Sequence, residues 1–270
     1  MRIFAIKDDT LSQEIVLGYL IYYENAKAFY IELPEDADPW ETPLLLSSFV
    51  KRGERSVSSY WSRLWVQQRI IPRDRQNIGQ VLKENGLKEY ETWLCASKDF
   101  KQRGESKIAL DAYYQAESLP NESPMDFCIR NGWESTVYEM LVVDYLILNR
   151  DRHGANMEVL RNQRKKTIRL APLFDHGLSL LSRCESTEAM LREDVMADKP
   201  VQCFVGSRSS WENLQLIPRD RRPPLHPLAE NDRAILLEGL SEALDQQWLD
   251  RIWEMIWKRW QAYEDLCNQG

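Results

Sequence analysis

The 270-residue sequence contains no uninterrupted apolar run of about 18 residues, which is the minimum that a membrane-spanning helix needs. Its first residues also lack the basic cluster and the long apolar segment that mark a secretory signal. The five cysteines are far apart, include no Cys-x-x-Cys pair and are odd in number, so they cannot all close into disulfides. We therefore expect a cytoplasmic protein that neither spans a membrane nor carries a recognisable export signal.

Histidine is scarce, and acidic residues outnumber basic ones. Only three histidines occur, and His153 has no cysteine nearby, which disfavours a zinc site. The 35 lysine and arginine residues face 42 aspartate and glutamate residues, and the resulting formal charge of −7 repels polyanions. Direct nucleic-acid binding is therefore not expected. With 43% hydrophobic and 29% charged residues, the composition is that of a packed globular protein.

The pattern of the first hundred residues changes from strand-like to helical. Segments rich in β-branched and aromatic residues predict short strands at 2–6, 15–23 and 28–33, with a polar turn at 24–27. Beyond these strands the spacing becomes helical, and a later helix is predicted from a cap at Asp74 to its end before Gly86. Together these elements predict a small α+β module.

The middle of the chain is polar and separates two regions. The stretch between about Ser97 and Pro124 is rich in turn-forming and charged residues. We therefore predict an N-terminal α+β subdomain at 1–110, a linker or reduced lobe at 111–134, and a C-terminal domain at 135–270.

A helix is predicted at 136–148, capped by Ser135, because apolar residues recur there at helical spacing. Asp144 interrupts the apolar face of this helix, and a buried carboxylate without a partner is costly. We expect Asp144 to bind the backbone of the following loop or the side chain of Arg152, and so to support that loop.

The segments after this loop predict a hairpin and two further helices. Strand-like runs at 157–160 and 167–170 predict a β-hairpin, and its basic turn at 161–166 is interpreted as a solvated tip. Helices are predicted at 231–244 and 248–266, the second with a tryptophan-rich apolar face. A helix that binds a membrane surface or a partner would also show such a face, but packing in a helical core is favoured.

The residues with chemical potential lie around this hairpin. Asp151 and Asn156 lie in the loop that follows the helix, and Asp175 follows the hairpin and is itself followed by Gly177. This order of helix, polar loop, hairpin and Asp-x-Gly is typical of the catalytic core of kinase-like proteins. Asp151 can accept the proton of an attacking hydroxyl, and the oxygen atoms of Asn156 and Asp175 suit magnesium.

Taken singly, each of these residues has a simpler interpretation. Polar loop residues often bind nearby backbone groups, and an isolated Asp-x-Gly is common in turns. The order of all three residues along the chain favours the catalytic interpretation. For His153, we expect its ring nitrogens to brace the catalytic loop through hydrogen bonds.

These motifs resemble the HipA family of serine/threonine kinases, the toxin kinases of bacterial toxin–antitoxin systems. The resemblance rests on Asp151-x-His153-x-x-Asn156 followed by Ala-Pro-Leu-Phe-Asp ending at Asp175, and it extends loosely into the tail. It implies a two-lobed kinase with a mainly helical C-lobe, in which Asp151 and His153 are catalytic. It further implies that Asn156 and Asp175 bind Mg2+ and ATP, and that a protein substrate or an antitoxin-like partner is bound.

Upstream of the catalytic segment the sequence departs from this family. Residues 68–75 and the helix that follows resemble the family's small N-terminal subdomain, but only about 96–133 then precede the catalytic helix. No Gly-rich phosphate loop is visible in the sequence, and the nucleotide-contacting lysine is not evident among Lys98, Lys101 and Lys107.

Two interpretations of this departure remain. In the first, a reduced lobe grips ATP through Lys107 or Arg103. In the second, the chain is a split kinase, a pseudokinase or an antitoxin-like regulatory protein. In either case the predicted class is α+β, with a small N-terminal module before a mainly helical, kinase-like C-lobe that contains a short β-hairpin.

Overall fold

The structure is a computed structural model that describes residues 1–7, 15–70, 73, 77–84, 86–90 and 107–269. The chain divides into an N-terminal unit, Met1–Ile108 with Leu160–Ile168, and a C-terminal unit, Ala109–Val159 with Arg169–Gly270. Helices and small sheets are both present, which confirms the α+β class. None of the helices in the described ranges is long and apolar enough to cross a membrane. The predicted cap at Asp74 and the residues Lys98, Lys101 and Arg103 lie outside these ranges.

The N-terminal unit contains a four-stranded antiparallel sheet. Its strands, in the order β1-β2-β3-β4, are Arg2–Lys7, Val16–Tyr23, Ala28–Glu32 and Ser56–Val57. The three predicted strands are thus confirmed to within a residue or two. Strand β4 was not predicted because two residues are too few to show a period.

Three helices belong to the same unit as this sheet. They are α1 (Leu44–Lys51), α2 (Ser59–Gln67) and α3 (Ile78–Glu84). Helix α2 packs on β3, and Ile31 and Trp65 are fully buried. Burial of such large apolar side chains contributes roughly 1.5 to 3 kcal/mol each and holds the unit together.

The predicted hairpin is present, but its basic turn is not a simple solvated tip. Strands β5 (Lys107–Ala109), β7 (Glu158–Asn162) and β8 (Thr167–Leu170) form a sheet in the order β5-β7-β8. Arg161 is only 4% exposed and donates hydrogen bonds to the carbonyl oxygens of Thr42 and Pro39 at 2.7 and 3.1 Å. The remaining basic residues of the turn are exposed, as expected.

The C-terminal unit is mainly helical. Its α-helices are α4 (Leu110–Glu117), α5 (Pro124–Arg130), α6 (Glu134–Leu146), α7 (Thr187–Arg192), α8 (Ser210–Gln215), α9 (Asp232–Leu236) and α10 (Gln246–Asn268). Helices α4 and α5 occupy much of the segment 111–134 that was predicted as a linker or reduced lobe. Their amphipathic turns are too short to stand out from the polar background.

The bounds of two predicted helices need correction. Ser135 lies inside α6 and does not cap it, because the helix begins at Glu134. The helix predicted at 231–244 is broken: α9 ends at Leu236, and Gly239 adopts a left-handed conformation with φ of +78° before a short 3-10 helix. Glycine adopts this conformation without steric cost, which is why the chain turns there.

The tryptophan-rich face of α10 packs into the core of the C-terminal unit. Ile252, Trp253 and Met255 are buried in a cluster with residues of α7 and the preceding segments. Trp257 packs against Trp253 with ring centroids 5.6 Å apart. The core interpretation of this face is therefore confirmed, because its aromatic rings contact one another and the unit's own interior.

Candidate functional site

Asp151 lies in a short strand and not in an irregular loop. Strand β6 (Asp151–Arg152) pairs in parallel with β9 (Gln202–Cys203). The amides of Gln202 and Phe204 donate to the carbonyl oxygens of Arg150 and Arg152, each at 2.9 Å. These bonds fix the backbone on both sides of Asp151, so its carboxylate projects from a rigid support.

The imidazole of His153 lies beside the Asp151 carboxylate. Its Nδ1 accepts a hydrogen bond from the backbone amide of Ala155 at 3.2 Å, so the neutral ring carries its proton on Nε2. That Nε2 is 3.6 Å from Asp151 Oδ1. His153 therefore braces the turn after Asp151, as expected, and directs an N–H group towards the predicted base.

Asn156 ends a short 3-10 helix, Gly154–Asn156, and is almost fully buried. Its Nδ2 donates to the carbonyl oxygen of Asp151 at 2.9 Å. Because the amide nitrogen is used in this way, Oδ1 is the atom that remains for a ligand. Asn156 also lines a narrow pocket with residues of α6, β7 and the segment 170–174.

Gly154 allows α4 to approach the 3-10 helix closely. A Cβ atom at this position would lie 2.5 Å from the Cβ of Asp111 in α4 and 3.0 Å from Cδ2 of Phe204. Atoms of real side chains do not approach so closely, so a larger residue would displace one of these segments. Apart from the glycine itself, nothing in the sequence indicates this contact.

Asp175 lies at a sharp turn that the structure brings beside β6. Its backbone is left-handed, with φ of 53°, and its side chain is exposed. Just beyond it, Leu178 accepts a hydrogen bond from the amide of Arg150 at 3.2 Å, and the amide of Leu180 donates to Ile147 at 2.6 Å. The segment after Asp175 therefore runs antiparallel to the segment before Asp151.

A buried ion pair joins the segments of the site. The guanidinium of Arg152, which is 1% exposed, donates Nε to Asp144 Oδ2 at 2.8 Å and Nη2 to Asp144 Oδ1 at 2.9 Å. Its Nη1 donates to the carbonyl oxygens of Phe174 at 2.8 Å and Asn156 at 3.1 Å. The expectation that Asp144 binds Arg152 is confirmed. The contacts from Arg152 to both predicted metal-ligand segments were not predicted.

Asn149 completes this buried group and was missed by the sequence reasoning. Its Nδ2 donates to Asp144 Oδ1 at 2.9 Å, and its Oδ1 accepts from the amide of Asp151 at 3.3 Å. Asn149 is 2% exposed, so its polar atoms require such partners. An asparagine two residues before a predicted base was the available signal.

Three of the six non-glycine residues with positive φ in the described part of the chain lie near the site. Leu148, Asp175 and Leu180 all have positive φ angles, of 49°, 53° and 55°. This conformation is uncommon for residues other than glycine and costs of order 1 to 3 kcal/mol, so it persists only where surrounding contacts enforce it. Here the contacts are the backbone hydrogen bonds between the segments that flank Asp151 and Asp175.

The available donor atoms suit magnesium in part. The Oδ1 of Asn156 and the carboxylate of Asp175 are hard oxygen donors, and magnesium commonly binds one or two such protein ligands and completes its octahedron with phosphates and water. Across the ranges that the structure covers, His, Cys, Asp and Glu form no group of three that would hold a metal. The residues therefore fit a weak protein site that depends on phosphate oxygens.

Cys203 adjoins this site without being a reactive thiol. Burial raises the pKa of Cys203 to about 11, with the carboxylate of Asp144 adding to the increase. At neutral pH the group is therefore a neutral thiol, which is a poor nucleophile. The chemistry of the site rests on its oxygen atoms.

No family model matches the chain, and none of the curated proteins matches it. Among solved structures, the chain is similar to a proinflammatory kinase of Helicobacter pylori, CtkA, over 95% of this chain and 92% of that chain. The sequence identity is 11% and the TM-score is 0.31. A similarity of this degree assigns no role to any residue, so the roles of Asp151, His153, Asn156 and Asp175 rest on their own chemistry and surroundings.

Proposed function

We propose that the chain is a HipA-like phosphotransferase that moves the γ-phosphoryl group of ATP to a serine or threonine hydroxyl. The observation that carries this proposal is the convergence of three segments on one buried group. The three segments are α6, the stretch from Asp151 to Asn156, and the turn at Asp175. Arg152, the residue after Asp151, donates hydrogen bonds to Asp144 of α6 and to the carbonyl oxygens of Asn156 and of Phe174, the residue before Asp175. Ordinary loop residues are not expected to be joined in this way through one buried guanidinium group.

Each side chain has a distinct task in the proposed reaction. The carboxylate of Asp151 accepts the proton of the attacking hydroxyl and orients that hydroxyl towards the phosphorus. The imidazole of His153, whose Nε2 lies 3.6 Å from Asp151 Oδ1, forms one side of the space around this carboxylate. Asn156 and Asp175 would hold the magnesium ion of MgATP, which supplies electrostatic stabilisation of the phosphates.

A regulatory protein without efficient catalysis is the second candidate. It is favoured by the absence of a Gly-rich phosphate loop from the sequence and by the few residues that precede the catalytic helix. Such a pseudokinase or antitoxin-like protein would keep the same fold and bind a partner protein. The two candidates differ in whether phosphate leaves ATP.

Titration calorimetry of ATP with and without millimolar magnesium tests the proposed metal ligands. ATP and magnesium together should bind much more tightly than either alone, and Asp175→Ala should abolish this synergy. Asp220→Ala is the matched control, because Asp220 is an 83% exposed carboxylate in the same unit. Equal ATP binding in both conditions, or synergy that survives in Asp175→Ala, would reject the assignment.

Transfer of labelled phosphate from ATP separates the two candidate functions. A phosphotransferase should label itself or a serine-containing acceptor, and Asp151→Asn should stop the labelling. Magnesium-dependent ATP binding without any labelling would instead support the pseudokinase.

A further inference from the structure

We infer that Arg152 is a positioning residue that sets the separation between the two predicted magnesium ligands, an inference that rests on the proposed function. Its Nη1 donates to the carbonyl oxygen of Asn156 itself and to that of Phe174, the residue before Asp175. One nitrogen atom therefore joins the backbones that carry both ligands. A shift of either backbone must stretch a charge-assisted hydrogen bond.

The other side of the guanidinium is locked in place. Nε and Nη2 form a bidentate pair with the two carboxylate oxygens of Asp144, which projects from α6. Asn149 holds the same carboxylate at Oδ1. The guanidinium plane is thus fixed relative to the helix, and Nη1 is held in a single orientation.

Stability alone is a weak explanation for this arrangement. Burying an arginine and a carboxylate costs desolvation energy that their attraction only partly offsets, and apolar replacements of buried pairs are often neutral or stabilising. What an apolar residue cannot supply is a rigid donor aimed at two carbonyl oxygens. We therefore expect the main role of this ion pair to be the positioning of the two predicted metal ligands.

Replacing Arg152 with lysine tests this geometry, because lysine keeps the positive charge but lacks the planar guanidinium group. In Arg152→Lys, an ammonium group can still pair with Asp144, but its three donors converge on one point and cannot also span Asn156 and Phe174. We expect the magnesium concentration that gives half-maximal enhancement of ATP binding to rise about 10- to 100-fold, as for other residues that orient metal ligands.

Arg259→Lys is the matched control. Arg259 is also 1% exposed, and its guanidinium donates to the backbone carbonyl oxygens of Val195, Tyr145 and Ala197 at 2.9, 3.1 and 3.1 Å. Loss of this guanidinium group should lower the melting temperature by about as much as the Arg152→Lys substitution does. The magnesium midpoint should stay at the wild-type value, because none of these carbonyls belongs to a predicted ligand segment.

The outcomes are distinct. A raised magnesium midpoint in Arg152→Lys but not in Arg259→Lys supports the inference. A wild-type midpoint in Arg152→Lys, or equal shifts in both variants, overturns it while leaving the proposed function intact. If magnesium does not change ATP binding by the wild-type protein, both the inference and the proposed function are overturned. If Arg152→Lys does not fold, Asp144→Asn replaces it: the freed guanidinium should again raise the midpoint, and an unchanged midpoint overturns the inference.

Discussion

Replacing Gly154 with alanine should destabilise the C-terminal unit and displace the predicted catalytic segment. The new methyl group would meet Asp111 Cβ at 2.5 Å and Phe204 Cδ2 at 3.0 Å, and the first contact lies on a helix that cannot rotate away as a side chain would. Insertion of one methyl group into such a space costs about 1 to 3 kcal/mol. We therefore expect a loss of this size in the free energy of unfolding.

Urea denaturation followed by tryptophan fluorescence measures this loss, and the chain offers two controls. Gly177→Ala should change the free energy of unfolding by less than about 0.5 kcal/mol, because its nearest neighbour, Asp175 Oδ1, would be 3.6 Å away, an ordinary contact. Adding Asp111→Gly to Gly154→Ala removes the closest clash and should recover part of the loss. If Gly154→Ala proves as stable as the wild-type protein, the close packing of α4 on this turn is refuted.

Four further results are expected. Asp151→Asn should reduce phosphate transfer about 10²- to 10⁴-fold, measured with labelled ATP, with little change in melting temperature; a large melting shift with unchanged transfer would make it a structural residue. Asp144→Leu should cost about 3 to 5 kcal/mol in urea denaturation, because a buried guanidinium loses its carboxylate, and a cost under 1 kcal/mol would contradict the buried pair. The Arg130 guanidinium lowers the pKa of Glu122 from 4.5 to about 2, so this pair stabilises the fold above pH 4.5 and loses its effect as pH falls towards 2; Glu122→Gln should flatten the pH dependence of the urea midpoint in that window. Burial raises the pKa of Cys128 to about 12, so a thiol reagent at pH 8 should label Cys128 only after unfolding. Rapid labelling of Cys128 itself in the folded protein would argue against its burial.

The sequence predicted those features that depend on local periodicity. The strands of the N-terminal unit and the hairpin at β7 and β8 followed from runs of β-branched and aromatic residues bounded by polar turns. The partner of Asp144 followed from the cost of an unpaired carboxylate on an apolar face. These predictions required only neighbours along the chain.

Features that depend on distant contacts were not predictable. Strand β6 exists only because β9 pairs with it, and two residues carry no strand signal of their own. The contact of Arg152 with Phe174 depends on how the turn at Asp175 packs, which no spacing encodes. The break after α9 was not predicted, because apolar residues continue at helical spacing on both sides of Gly239 and favour one long helix.

The parallel pairing of β6 with β9 bears on when the site forms during folding. Asp151 pairs with Gln202, and the side chain of the neighbouring Arg150 donates to the carbonyl oxygen of Pro200, 50 residues further along the chain. The pairing therefore closes a long loop, and the entropic cost of closing it must be met before the contacts form. The support for Asp151 is therefore expected to form late, after α6 and the hairpin, whose contacts are local. A nascent or partly unfolded chain would then hold compact helices while the carboxylate of Asp151 still lacked a fixed direction, so the proposed phosphate transfer would begin only when folding is nearly complete.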